Sequence, residues 1–189
     1  MRANTPCVAG AVLIAASGRA VAALLTFDDL GLPSGTILTN QYQAQGVVFA
    51  PLNGQLELRT ASNPIFPGDP MGLAEIPYWT SVIFANFPGT AAVEAGAYID
   101  FGNIGNGVKI EAFSGENGAG TLLGSASTTT ETLISVSAAG IRSVKFSDLG
   151  PAGTVSYLID HFTFTLAPAP GSVACVTAGA MLTARRRRR

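Results

Sequence analysis

Between residues 23 and 167, apolar positions recur at a spacing of two within short runs, and the runs stop at Gly, Pro, Asn or Asp. LLTFDD, QGVVFAP, QLELRT, WTSVIFAN, AAVEAGAYIDFG, GVKIEAFS, LLGSASTT, TLISVSA, IRSVKFSD and SYLIDHFTFTL all follow that rule. A period of two sends successive side chains to opposite faces of an extended chain, so each run predicts a strand with one face for a core. No amphipathic helical period exceeds two turns, which removes the crossover helices that parallel strands need. Many short strands joined by turns predict an all-β fold, an antiparallel sandwich in preference to a barrel. Residues 115–120, rich in Gly and Asn between two alternating runs, predict a hairpin. The span is long enough for one domain with its own core.

The two ends break this pattern. MRANTPCVAGAVLIAASGRAVA places Arg2 before an apolar run, and Ala20-Val21-Ala22 fits an A-x-A cleavage site. The order of these features predicts a secretory signal helix over residues 1–22 and a mature start at Ala23. At the other end, residues 171–184 form a 14-residue apolar segment, shorter than the roughly 20 residues a straight spanning helix needs. Arg185, Arg186, Arg187, Arg188 and Arg189 follow it and favour the cytoplasmic side of a membrane. With Pro168, Ala169 and Pro170 in front, residues 168–189 resemble the PEP-CTERM sorting signal, with Ala169 where that signal carries Glu. The resemblance implies recognition by exosortase, an integral-membrane cysteine protease. It also implies transient membrane residence through a short C-terminal hydrophobic helix, and display on, or secretion from, a Gram-negative cell.

Charge changes the picture once the ends are set aside. Of eleven basic residues, seven lie in the terminal segments, so residues 23–169 keep four bases against twelve acids, a formal charge of −8. A nucleic-acid partner needs a basic face and is excluded on this count. Cys7 and Cys175 both fall in the ends, which leaves the middle without a thiol for a disulfide, a metal or catalysis.

TFDDLG, YIDFGN, VKIEAFSGENGAGTLLGS, IRSVKFSD and YLIDHFTF resemble phrases of jelly-roll sandwiches of the galactose-binding or carbohydrate-binding-module type. In such sandwiches the first and last strands pair, and acidic residues there hold a structural calcium ion. Alternation puts Leu25, Phe27 and Asp29 on one face of the first strand, and Asp160, Phe162 and Phe164 on one face of the last. Asp28, Asp29 and Asp160 are therefore the expected calcium ligands, hard oxygens for a hard cation. The alternative is that they cap turns or lie at a solvent rim.

The stretch ASNPIFPGDPMGLAEIPYWTSVIFANFPG holds five of the eleven prolines and the only tryptophan, which marks it as either an irregular functional loop or a stretch whose structure the pattern misses. Tyr78 and Trp79 offer aromatic planes to the C–H faces of sugar rings. Against this, Trp79, Ile83 and Phe84 also suit a core.

Catalytic chemistry is thinly represented. His161 is the only histidine, no G-x-S-x-G elbow occurs, and no phosphate loop or dinucleotide fingerprint is present. Glu57, Asp69, Glu75, Asp100, Glu111 and Glu116 could supply a glycosidase carboxylate pair, but nothing in the sequence selects one. The expectation is a non-catalytic adhesion or glycan-binding protein of an extracellular polysaccharide matrix. A purely structural, hydrated matrix protein is the second reading and a carbohydrate-active enzyme the third.

Overall fold

Strands with one apolar face must bury that face, and here they do so by forming two antiparallel sheets packed against each other. The computed structural model describes residues 20–60, 71–76, 82–103, 107–150 and 156–168. Residues 1–19 of the expected signal helix and residues 169–189 lie outside these, whereas Val21 and Ala22, expected to close that helix, are in a strand. One compact unit spans Ala20–Ala167.

In chain order the strands are β1 (Val21–Leu25), β2 (Ile37–Leu38), β3 (Val48–Pro51), β4 (Gln55–Thr60), β5 (Met71–Ile76) and β6 (Val82–Asn86). They continue with β7 (Ala92–Asn103), β8 (Val108–Phe113), β9 (Leu122–Thr128), β10 (Thr132–Ile141), β11 (Ser143–Asp148) and β12 (Ser156–Leu166). The seven-stranded sheet runs β10-β7-β12-β5-β4-β2, with β1 also paired to β12; the five-stranded sheet runs β3-β6-β11-β8-β9. The first and last strands therefore pair, with Val21 opposite Leu166 and Leu25 opposite Phe162.

The core between the sheets is aromatic at its centre. Phe27, Tyr42, Phe49, Phe162, Phe164 and Phe87 form a chain of edge-on and tilted ring contacts with centroids 5.1 to 6.0 Å apart. Such offsets avoid stacking like-charged ring faces. Glu75 adds a polar clamp. Its cross-strand partner Leu56 belongs to the core. Oε1 of Glu75 accepts the Asn53 N–H at 2.9 Å, and Oε2 accepts the Val82 N–H at 2.7 Å. A buried carboxylate is tolerable when donors reach both of its oxygens, and these two tie β5 of one sheet to β6 of the other.

Several expectations are corrected here. The first strand ends at Leu25, because Phe27 adopts a left-handed conformation (φ 66°) and turns the chain. Phe27 still reaches the core, while Asp29 lies in the following turn and not on a strand face. β5, for which no strand is expected, emerges from the proline-rich part of that stretch. Phe84 is buried, as expected, but it stands outside the core cluster on the far side of β6. A Cβ on Gly118 would lie only 2.9 Å from its ring, so the 115–120 turn covers it. That turn is pinned by the Asn117 N–H donating to Asn86 Oδ1 and the Gly118 N–H donating to Ser143 Oγ.

The last strand is also out of phase with the expected alternation. Asp160 pairs with Tyr98 and Thr163 with Gly96, so His161 and Phe162 together stand opposite Ala97. This is a β-bulge, with His161 at φ 45°. It inverts the facing of the residues before it. Tyr157 and Ile159 share the core with Phe162 and Phe164, and Asp160 points away from the core.

Candidate functional site

Asp160 therefore belongs to the outer face of the seven-stranded sheet. On β7 the core takes Ala95, Ala97 and Ile99, which leaves Gly96, Tyr98 and Asp100 facing outward. Gly96 is required there, since a Cβ would fall 2.6 Å from the Ile134 carbonyl oxygen. Across this face Leu133 pairs with Tyr98 and Tyr98 with Asp160, while Asp100 pairs with Leu158. Beyond them Gly72 and Ala74 of β5 pair with Arg59 and Glu57 of β4. Ala74 is fully buried although it is outside the core cluster.

Two carboxylates on adjacent strands at diagonal positions sit about 7 Å apart or less at Cβ. Asp100 and Asp160 are in that relation. Both are desolvated, at 7% and 9% exposure. Burial pushes the Asp100 carboxyl up to about 6, with the charges of Glu131 and Asp160 adding to the shift. Burial also raises Asp160, and the Asp28 charge acts in the same direction. The hydrogen bond from the His161 N–H (2.6 Å to Oδ1) and the His161 ring opposes that rise. His161 Nδ1 lies 3.1 Å from Asp160 Oδ2. The bulge thus brings the backbone and ring of one residue onto the preceding carboxylate.

The three aspartates expected to share a cation each accept a hydrogen bond from the protein. Asp29 Oδ1 accepts the Tyr42 hydroxyl at 2.5 Å, and burial followed by this carboxylate raises the phenol well above its ordinary value. Asp28 Oδ2 accepts the Met71 N–H at 2.9 Å. Asp28 and Asp160 are close enough for their charges to interact, whereas Asp29 is committed to Tyr42. Calcium takes six to eight oxygens. Among the described residues no group of three metal-ligating side chains is found, and one oxygen each of Asp28 and Asp29 already serves a protein donor.

Tyr78 and Trp79 lie outside the described residues, as does Asp69. The other carboxylates have structural partners. Arg59 Nε is 2.8 Å from Glu57, and Glu111 takes Lys109 at 2.9 Å and Lys145 at 3.7 Å on the five-stranded sheet. Glu116 pairs with Arg142 at 3.0 Å. Sequence reasoning missed the pairing of Asp100 with Asp160. The signal that could have found half of it was YIDFG, whose alternation places Tyr98 and Asp100 on one face. The other half was hidden by the bulge.

No family model and no curated protein matches the chain. Among solved structures it is similar to a family 29 carbohydrate binding module from Piromyces equi. The TM-score is 0.44 at 11% identity, covering 78% of this chain and 91% of that one. It is also similar to the K2 cleaved adhesin domain of Lys-gingipain, with a TM-score of 0.39 at 14% identity, covering 77% of this chain and 100% of that one. A third is a structure of the CBM51-2 and INT domains of Clostridium perfringens ZmpB. Its TM-score is 0.39 at 12% identity, covering 62% of this chain and 29% of that one. The assignment of the fold as an antiparallel sandwich rests on the chain's own ladders.

Proposed function

We propose that the sandwich is a non-catalytic glycan-binding or adhesion module of an exported protein, and that it binds through the outer face of the seven-stranded sheet. The observation that carries this reading is the makeup of that face. The partly exposed Tyr98 and Leu158 lie beside two carboxylates, which supplies both an apolar border and hydrogen-bond acceptors for hydroxyls. β5, which runs through this face, is flanked in sequence by residues 61–70 and 77–81. Those segments contain the aromatic pair Tyr78 and Trp79. In this reading the N-terminal segment exports the chain. The C-terminal tripeptide, apolar segment and arginines hand it to an exosortase-type protease while it is transiently held at the membrane.

Binding of the full-length chain, held in neutral detergent, to a panel of bacterial and algal polysaccharides tests the proposal. Saturable binding to one class is expected, and Trp79→Ala should weaken it about tenfold without lowering the melting temperature. Absence of binding to every polysaccharide would sink the reading and favour a structural matrix protein whose acidic surface keeps it hydrated.

A further inference from the structure

The outer face carries a charge imbalance that a neutral sugar does not satisfy. Asp100 is 7% exposed. Among the described residues no donor hydrogen-bonds its carboxylate, and the charges acting on it are those of Glu131 and Asp160. Asp28 adds a further negative charge beside Asp160. His161 already faces Asp160, and Arg59 is engaged by Glu57 on β4. A desolvated carboxylate without a donor is costly, and a like charge beside it raises the cost. A sugar hydroxyl would give Asp100 a hydrogen bond but leave the repulsion in place. An ammonium group does both, because a charge-assisted hydrogen bond supplies the donor and the positive charge offsets the neighbouring acids. A uronate would add to the repulsion.

We infer that Asp100 and Asp160 form a subsite for the protonated amine of an unacetylated hexosamine, entering from the outer face between β7 and β12. The inference rests on the glycan reading above and names its ligand class. The amine donates to Asp100 and lies within the field of Asp160, while Tyr98 and Leu158 border the sugar ring. N-acetylation removes the positive charge and leaves a single neutral amide N–H, which cannot offset the neighbouring acids, so the subsite discriminates against the polymer most simply related to the ligand.

The test is binding of the full-length chain in neutral detergent to glucosamine oligomers, to the same oligomers fully N-acetylated, and to a uronate polymer. Binding to the free amine should be at least tenfold tighter than to the acetylated form, with none to the uronate. Asp100→Asn removes an unfavourable buried charge without changing shape, so it should fold, and it should lose about tenfold or more in affinity for the amine. Glu94→Gln removes an equal charge from an exposed position six residues along β7, roughly 20 Å away at strand rise. It should bind like the parent. Equal or tighter binding of the acetylated oligomer, an Asp100→Asn variant that binds like the parent, or a Glu94→Gln variant that weakens as much as Asp100→Asn would each overturn the subsite. Those results would leave glycan binding standing. Failure of both oligomers and of the polysaccharide panel would remove both readings.

Discussion

Asp100 shows how one residue can set a pH response. Its carboxyl is pushed up to about 6 by burial and by Glu131 and Asp160. A group whose pKa is raised on folding binds its proton more tightly in the folded state. The stability linked to it is complete below the unfolded value near 3.8 and is lost as pH rises through about 6. Asp160 is raised as well and contributes with the same sign. The melting temperature should therefore climb as pH is lowered from 7 toward 5, and Asp100→Asn should melt higher than the parent at pH 7 with a flatter climb. Thermal denaturation of the two proteins across that range measures this. A parent whose melting temperature is level or falling from pH 7 to 5 would show that the pair does not govern stability. Nothing about Asp100 in isolation announces this behaviour. It arises from a neighbour placed by a different strand.

At the scale of elements, β12 explains both what could be read in advance and what could not. Period-two alternation located most strands, because a half-buried strand writes its facing directly into the order of residues. β5 was hidden because MGLAEI has one β-branched residue and lies among prolines, although it occupies an interior position between β12 and β4. The bulge was hidden for a different reason. Its extra residue is a histidine at φ 45°, a conformation that costs an L-residue about 1–2 kcal/mol and that no composition rule marks. One shifted residue was enough to carry Asp160 to the opposite face and to change the partner set of the expected site. His161→Val should lower stability by about 1–2 kcal/mol more than His161→Asn, since Asn tolerates the left-handed region and a β-branched side chain does not. Urea unfolding of both variants checks it, and equal losses would mean that the bulge relaxes to ordinary strand geometry.

For the whole molecule, the pairing of the first strand with the last has a topological consequence. Val21 stands opposite Leu166, and antiparallel partners are about 5 Å apart at Cα. The compact unit is therefore nearly a closed loop of chain that happens to be open at that corner. Its order of connection can be rewritten without moving a strand. Joining residue 167 to residue 20 through a short Gly/Ser linker, and opening the chain in the exposed turn at residues 129–131 between β9 and β10, should yield a permutant with the same two sheets. A circular dichroism spectrum and cooperative melt like those of the parent unit would establish it. A permutant that fails to fold would show that making β1 and β12 in their native order is itself a condition of folding.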